Sequence, residues 1–277
     1  MKIVFYNHYH NGDIFASKAY VEDIIREFPG CEFYYQHFNS SKLLRDVNIE
    51  FRSLEVPLGP VTDRTPFLVD KDTIFINTWI GNYLELESGI NWGTYQQMFK
   101  KIYRFIEDET DEKIDVGPVE YYIPEIKYEY FDIPDVKVPD RSIIISNGPV
   151  LSGQSELENL NGLIEKLLQE TDRNIILTHF APFNSERISF TNNIIATSGG
   201  DLNEISWLAS KCEYIIGRNS GPFCFMNTKQ ILNNANKKII SIGNNEKDSF
   251  IYNITVKAEY NFVHDNNITD ILDIVKW

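Results

Sequence analysis

Strands and helices alternate at short intervals through the second half of this chain, and this alternation restricts the folds that it can adopt. Runs rich in β-branched residues predict strands at 142–146, 174–178, 193–197, 214–217, 238–242 and 251–256. Apolar residues at helical spacing predict helices at 156–168, 202–210, 223–233 and 268–276. Strands that alternate with helices in this way predict a mainly parallel sheet with helices on both faces.

The first half begins with the same pattern. It predicts strands at 2–6, 31–35 and 73–78, and helices at 16–28 and 95–106. Proline, tyrosine and acidic residues then alternate from 116 to 140, which predicts the connection between two domains near 125–140. We therefore expect two αβα domains, at 1–135 and 136–277, with mainly parallel sheets that face a central cleft.

Composition excludes several classes of protein. The formal charge of −14 disfavours nucleic acid and anionic membrane surfaces as partners, although a local site for a small phosphorylated ligand stays open. Cys31, Cys212 and Cys224 are an odd number without a C-x-x-C pair, which is typical of reduced thiols. No apolar run approaches the length of a membrane span, and the N-terminus turns polar too early for a secretory signal. We expect a cytoplasmic protein without a transmembrane segment.

The sharpest motif lies where the predicted strand 214–217 runs directly into Arg218-Asn219-Ser220-Gly221-Pro222 and a new helix. Such a turn directs the N–H groups of Ser220, Gly221 and Phe223 toward the cleft, where they suit a diphosphate. Pro222 fits the first helical position. The alternative is an ordinary strand-to-helix turn made of common turn residues.

This motif and one near the N-terminus resemble a known family, the GT-B glycosyltransferases of the bacterial heptosyltransferase type. Asp201-Leu202-Asn203-Glu204-Ile205 resembles the family's D-L-x-E-L-like helix, and residues 217–222 resemble its G-x-[DN]-[ST]-G-P turn, which holds the donor's diphosphate. Gly12-Asp13-Ile14 resembles the Gly-Asp-[IVL] triplet whose aspartate faces the acceptor. The loop 179–187 is similar to the donor-side loop, in which an acidic residue, here Glu186, meets the ribose or sugar. Because Asn219 replaces a common aspartate and Phe223-Cys224 departs from the pattern, heptose is not implied.

The resemblance implies a GT-B-like α/β fold of two Rossmann-like domains, the first for the acceptor and the second for the donor. It implies transfer of a sugar from a nucleotide-sugar, which serves as co-substrate without any further cofactor, to a glycan or other hydroxyl acceptor. Polysaccharide pyruvyl transferases share the early G-D loop and the late G-x-x-S-G-P turn. A pyruvyl transferase or sugar epimerase on this scaffold, or a non-catalytic nucleotide-sugar-binding protein, therefore remains an alternative.

Sugar transfer needs a base and a way to stabilise the departing diphosphate. Asp13 is the candidate base, and its alternative role is the N-cap of the following helix. Arg218 is the candidate cation for the leaving group, and its alternative is a surface arginine paired with acidic neighbours. No carboxylate pair follows a predicted strand, so we expect transfer without a metal.

The remaining candidates line the two sides of the predicted site. Asn147 and Gly148, with Ser152 and Ser155, are expected to form a wall of the donor site, although Ser155 also suits a helix cap. His8, His10, Asn11 and Gly12 lie in the first post-strand loop, where we expect contacts with the acceptor; two histidines alone are weak support for a metal. Trp79 ends a predicted strand in the aromatic-rich first half and is the further candidate for acceptor binding.

Overall fold

The computed structural model describes residues 1–53, 64–84, 88–111, 122–150, 155, 157, 159–195, 201–267 and 269–275. The chain divides into two compact units, Met1–Glu125 and Ile126–Trp277. The boundary that the sequence places between 135 and 136 falls inside the second unit. Within the described ranges, no helix combines the length and apolar character needed to cross a membrane.

The first unit is built on a five-stranded sheet in the order β3-β2-β1-β5-β4. Its strands are β1 (Lys2–Asn7), β2 (Glu32–His37), β3 (Glu50–Ser53), β4 (Phe67–Asp70) and β5 (Thr73–Asn77). Every pair is parallel except β4 with β5. Two long helices, α1 (Asn11–Glu27) and α2 (Trp92–Thr110), pack together, and the Tyr20 ring stacks on Phe99 with centroids 4.1 Å apart.

The second unit is built on a six-stranded sheet, parallel throughout, in the order β11-β10-β9-β6-β7-β8. Its strands are β6 (Ser142–Ser146), β7 (Asn174–Leu177), β8 (Ile188–Phe190), β9 (Tyr214–Arg218), β10 (Lys238–Gly243) and β11 (Glu259–His264). Its helices are α3 (Asn161–Glu170), α4 (Thr191–Ile194), α5 (Leu202–Lys211), α6 (Gly221–Cys224), α7 (Lys229–Leu232) and α8 (Asp270–Val275).

The central strands are buried on both faces. Ile143, Ile144 and Ile145 follow one another along β6, and all three are fully buried. Successive side chains of a strand point to opposite faces, so this burial requires cover on both sides. Unbroken isoleucine runs are thus explained by helices packed on either face of a parallel sheet.

Several predicted elements differ from the structure. The helix predicted at 223–233 is interrupted because Asn227 donates its side-chain amide to the Phe223 carbonyl (2.8 Å) and Thr228 caps a separate helix, α7. The strand predicted at 251–256 is absent from that described segment, where Asn253 adopts a positive φ of 58°, and the last strand is β11 instead. The strand predicted at 193–197 gives way at Asn193 and Ile194 to the short helix α4, which follows β8; residues 196 and 197 lie outside the described ranges.

Two predicted helices begin elsewhere. The first starts at Asn11 rather than at 16, because the polar residues that suggested a loop already form its first turn. The helix predicted at 156–168 starts at Asn161, and residues 156 and 158 lie outside the described ranges.

Candidate functional site

Strand order fixes where a ligand is expected in each unit. In the first unit the chain proceeds from β1 to β2 and β3 on one side and then returns to β5 on the other side of β1. In the second unit it proceeds from β6 to β7 and β8, then crosses to β9 on the opposite side of β6. In open parallel sheets ligands bind outside the carboxyl ends of the strands where the order reverses. The candidate edges are therefore those of β1 with β5, and of β6 with β9.

Asp13 lies at the first of these edges. Its Oδ1 accepts a hydrogen bond from the Tyr95 hydroxyl (2.8 Å) and another from the Ile80 N–H (3.2 Å), which follows β5. Asp13 is 5% exposed. Burial raises the pKa of its carboxyl group, while Tyr95, Ile80 and the nearby His10 oppose that shift. The structure places His10 at the N-cap of α1, so the alternative role of Asp13 as N-cap is wrong.

A buried polar network lies beneath this edge, and sequence reasoning missed it. The Thr78 hydroxyl contacts both the Tyr35 hydroxyl (2.6 Å) and the Asn7 side-chain amide (3.3 Å), and Tyr35 also contacts Ser17 (3.0 Å). All four residues are fully buried, and burial raises the pKa of Tyr35. The signal that could have revealed the network is the pair of polar residues, Asn7 and Thr78, that end two apolar strands.

Two asparagine side chains shape the loops that leave β1 and β5. Asn7 Oδ1 accepts the N–H of Tyr9 (2.8 Å), and Asn77 Oδ1 accepts the N–H of Trp79 (2.9 Å). Each contact is an Asx turn, in which an asparagine folds the next two residues around its own side chain. The turns fix where the aromatic residues of both loops begin.

The predicted acceptor residues fall into two groups. His8, His10 and Trp79 lie in the loops at this edge, where the Tyr9 ring contacts Trp79 (centroids 4.6 Å apart) and stacks on His10 (5.8 Å). Asn11 and Gly12 instead belong to the first turn of α1. Gly12 is buried and both Asn11 and His8 are half-buried, whereas His10 is exposed and offers more surface to a ligand.

Arg218 ends β9 at the second edge and is 1% exposed. Its guanidinium group donates to the carbonyl oxygens of Leu157, Gly148 and Asn147, the last at 3.3 Å. Burial lowers its pKa, and Asp265 opposes that shift. The alternative of a surface arginine is wrong, and the N–H groups that we expected to face a phosphate are directed at the main chain instead. The geometry gives Arg218 the role of clamping the segment after β6 to β9.

The turn after β9 presents main-chain N–H groups rather than side chains. The first intrahelical hydrogen bond of α6 runs from the Cys224 N–H to the Ser220 carbonyl (2.9 Å), so helix geometry supplies no acceptor to the N–H groups of Gly221 and Phe223. Pro222 has no N–H, and Ser220 occupies the N-cap in an extended conformation. The amides named from the sequence thus stand at the start of a short helix, as predicted.

The side chains around that turn are committed to packing. The Phe223 ring is fully buried against Gly217, where a Cβ atom would collide with it. Asn219 is fully buried, accepts the Ser241 hydroxyl (2.9 Å) and donates to the Asp248 carbonyl. Both residues were predicted to contact the donor. The structure leaves only the main chain of Phe223 for that task and makes Asn219 a support of the turn.

Asn147 and Gly148 follow β6, beside Arg218. The Asn147 side chain donates to the His179 carbonyl (2.9 Å) and accepts the His179 N–H (2.8 Å), which ties the loop after β6 to the loop after β7. The His179 ring lies against Gly148. Burial and the Arg218 charge lower the pKa of His179, while Asp201 opposes them. Phe180 is 82% exposed beside it and was not among the predicted residues.

Glu186 and Ser155 do not have the surroundings that the sequence predicts for them. Glu186 is exposed and comes just before β8, whose Ile188 pairs with Ile175 near the start of β7. It therefore lies at the amino end of the sheet, apart from the other residues predicted to bind the donor. Ser155 does not cap a helix, since α3 starts later; its hydroxyl donates to Asp265 (3.2 Å). Ser152 lies outside the described ranges.

Across the residues that the structure describes, no group of three or more histidine, cysteine, aspartate or glutamate side chains is arranged to hold a metal. The groups that we predicted to contact a diphosphate at the second edge are main-chain N–H groups.

Comparison with known proteins shows the fold. No protein-family model matches the chain, and no curated protein sequence matches it. In structure it is similar to the E. coli heptosyltransferase WaaC with ADP (10% identity, TM-score 0.53, covering 100% of this chain and 96% of that one). It is also similar to the E. coli ADP-heptose LPS heptosyltransferase II, with 12% identity and a TM-score of 0.56, over 100% of this chain and 98% of that one. A third similar structure is the family 9 glycosyl transferase from Veillonella parvula, with 12% identity and a TM-score of 0.51, over 95% of this chain and 86% of that one.

This likeness confirms the predicted fold class, a GT-B-like α/β fold with two mainly parallel sheets. It also confirms the resemblance to heptosyltransferase-like glycosyltransferases at the level of fold.

Proposed function

We propose that this chain is a glycosyltransferase that moves a sugar from a nucleotide-sugar donor to a hydroxyl group of a glycan or other acceptor. The observation that carries the proposal is the Asp13 carboxylate, buried at the switch point of the first sheet with a raised pKa. A carboxylate raised above its ordinary pKa of 3.8 is a better proton acceptor at neutral pH. The fold shared with known sugar transferases supports the same activity.

The chemistry requires one proton transfer and one exchange of bonds. The acceptor hydroxyl gives its proton to Asp13 as its oxygen forms a bond to the anomeric carbon of the donor sugar. The bond from that carbon to the diphosphate oxygen breaks, and the nucleoside diphosphate leaves with the electron pair. Asp13 is held for this task by Tyr95 and by the Ile80 N–H, which fix one carboxylate oxygen.

The departing diphosphate needs stabilisation of its negative charge. The N–H groups of Ser220, Gly221 and Phe223, at the start of α6, are our candidates for that role, with Pro222 setting the first turn. Arg218 acts through position rather than contact, because it holds Asn147 and Gly148 next to the turn. Because main-chain amides are the candidate groups for stabilising this charge, we propose metal-independent transfer, cytoplasmic in setting, with no other cofactor.

We propose that the acceptor enters at the edge of the first unit, where His8 and His10 lie in the loop after β1 and Trp79 directly precedes Ile80, whose N–H contacts Asp13. Asn11 and Gly12 form the start of the helix that carries Asp13. The reaction product distinguishes this proposal from the alternatives. A pyruvyl transferase or epimerase yields other products, and a non-catalytic binding protein yields none.

Asp13→Asn tests the proposal against a matched control. Asp23 also lies on α1, is also 5% exposed, and also accepts a hydrogen bond from a tyrosine of α2, Tyr103 (2.5 Å). We expect Asp13→Asn to reduce transfer at least a hundredfold, the scale of general base catalysis, while Asp23→Asn retains it per folded molecule. Transfer is followed as release of ADP, GDP or UDP from a panel of nucleotide-sugars, with and without EDTA.

The same variant carries a stability readout. Because burial raises the pKa of Asp13, its ionised form costs folding free energy at neutral pH, and the neutral asparagine removes that cost. Asp13→Asn should therefore be at least as stable as the natural chain at pH 7 and should bind nucleotide equally well. Unchanged turnover in this variant would refute the role of Asp13, and an absence of nucleotide binding by the natural chain would refute the proposed function.

A further inference from the structure

Five aromatic side chains line the carboxyl edge of the first sheet, and we call them the aromatic row: His8, Tyr9, His10, Phe38 and Trp79. Ring centroids are 4.6 Å apart for Trp79 and Tyr9, 6.5 Å for Tyr9 and His8, and 6.3 Å for His8 and Phe38. Trp79 follows β5, His8 and Tyr9 follow β1, and Phe38 follows β2. The row thus crosses three neighbouring strands at the centre of the sheet.

Two members of the row, Phe38 and Tyr9, are unusually exposed for aromatic side chains. Phe38 is 53% exposed and Tyr9 is 38% exposed, although aromatic rings usually dominate cores and interfaces. Neither ring stands alone, because each has an aromatic neighbour within the row. Exposed aromatic rings grouped with other rings in this way are typical of a binding site.

The loops below hold the row in place. The Asx turns of Asn7 and Asn77 set the main chain at Tyr9 and Trp79. The Trp79 ring lies against Gly81, where a Cβ atom would collide with it. A ligand that stacks on the row therefore loses little side-chain entropy, which favours binding.

The row adjoins the candidate base. Trp79 directly precedes Ile80, whose N–H donates to the Asp13 carboxylate. His10 caps the helix that carries Asp13, and its charge acts on that carboxylate. The row is thus joined through Ile80 and His10 to the carboxylate that we propose as the base.

The chemistry of the row indicates what it binds. The negative face of an aromatic ring attracts the weakly positive C–H groups on the apolar face of a sugar ring. None of the five members is a lysine or arginine, the residues that recognise carboxylate or phosphate.

We propose that the aromatic row binds uncharged sugar rings of the acceptor, one stacked on Tyr9 and one on Phe38, with His8 and His10 hydrogen-bonding their hydroxyl groups. This rests on the proposed function, and it assigns a neutral glycan as the substrate class of that site. Because the row spans three strands, about 10 Å at the usual strand spacing, it has room for a disaccharide.

Saturation-transfer NMR on the full chain tests the proposal without any donor. The probes are methyl β-D-glucopyranoside, lactose and maltose, compared with glucuronic acid and glucose 6-phosphate. We expect transfer to the C–H protons of the neutral sugars, unaffected by 0.5 M salt, and at least fivefold weaker transfer to the charged sugars. Tyr9→Ala and Phe38→Ala should each weaken the signal at least fivefold, and Tyr9→Phe should keep it.

Tyr130→Ala is the matched control, because Tyr130 is an equally exposed aromatic residue (52%) of the other unit, and it should leave the signal unchanged. Equal or stronger binding of the charged sugars overturns the proposal, and so does neutral binding that survives both alanine substitutions. ADP, GDP and UDP binding is measured on the same samples. Nucleotide binding without neutral-sugar binding overturns this inference alone, whereas neutral-sugar binding without any nucleotide binding overturns the proposed function.

Discussion

Arg218→Lys discriminates between a clamp and a phosphate ligand at the edge of the second sheet. The guanidinium group donates to three carbonyl oxygens, those of Leu157, Gly148 and Asn147, from a position that is 1% exposed. Lysine keeps the charge but is a compact point donor that does not reproduce the planar fork. At least one charge-assisted hydrogen bond is lost, at a cost of about 1.5–3 kcal/mol.

That cost sets the expected size of the effect. A loss of about 2 kcal/mol lowers Tm by roughly 4–8 °C in a domain of 150–250 residues. We therefore expect Arg218→Lys to lower the apo Tm by that amount in scanning calorimetry and to weaken nucleotide binding only in proportion to the disturbed loops. The control is Arg141→Lys, since Arg141 is 58% exposed in its ion pair with Asp172 (2.6 Å) and should change stability by less than about 1 kcal/mol.

The refuting pattern is equally specific. If Arg218 faces a phosphate group, Arg218→Lys will leave the apo Tm within about 2 °C, because a substitution that breaks no buried contact rarely changes stability by more than about 0.5 kcal/mol. Nucleotide affinity, measured by calorimetric titration with ADP, GDP and UDP, will instead fall at least tenfold. That combination would support the phosphate contact that the sequence predicts for Arg218 and would refute its role as a clamp between β9 and the segment after β6.

Three further changes test other parts of the structure. Burial lowers the pKa of His37 to about 4, so on acidification the imidazole is protonated first in the unfolded chain, and the free energy of unfolding should fall as pH drops from 6.5 to 4. At pH 5 this loss is on the order of 2 kcal/mol, and urea unfolding of His37→Phe should no longer show it. Gly217→Ala places a methyl group in the space of the ring packed there and should cost about 1–3 kcal/mol, whereas Gly162→Ala, with open space around its Cβ position, should be neutral or stabilising in the same thermal assay. Tyr95→Phe removes a hydrogen bond that lowers the pKa of Asp13, so the acid limb of the pH–rate profile should move to higher pH while the limiting rate at high pH is kept.

Each of these has an outcome that contradicts it. A pH dependence of stability that persists in His37→Phe would mean that other groups produce it. Equal costs at Gly217 and Gly162 would mean that the close ring contact is not decisive. An acid limb that stays in place in Tyr95→Phe would separate the pH–rate profile from Asp13.

Local sequence patterns predicted the central strands of the two sheets because a strand covered on both faces must be apolar without a break, as in Ile143–Ile145, but they did not predict the edge strands β3, β8 and β11. They did not predict strand order, since pairing joins segments far apart in the chain. The switch points, between β1 and β5 and between β6 and β9, became visible only with the sheets assembled. The antiparallel strand β4 was missed for the same reason, because its partner contacts define it.

The candidate site shows a sharper limit. The sequence placed Arg218 and Glu186 in loops that follow strands, where ligands bind. Such a loop begins at the carboxyl edge of the sheet but can end at the opposite edge, where the next strand begins. Arg218 is at the correct edge, yet its N–H groups turn inward to carbonyl oxygens that no motif reveals. Glu186 belongs to a loop that starts at the correct edge and crosses to the opposite one before β8 begins.

Nearly buried polar side chains lie at both ends of the strands. At the carboxyl ends, Asp13, Thr78, Arg218 and Asn219 are each at most 5% exposed, and such burial costs free energy even when hydrogen bonds are made. At the amino end of the second sheet, Arg173 and Lys237 are also nearly buried, at 6% and 7% exposure, while the Arg141–Asp172 ion pair is largely exposed. Burial alone therefore does not separate the two ends of the strands. What distinguishes the carboxyl edges is the reversal of strand order, joined at the first edge by a carboxylate, that of Asp13, whose pKa burial raises.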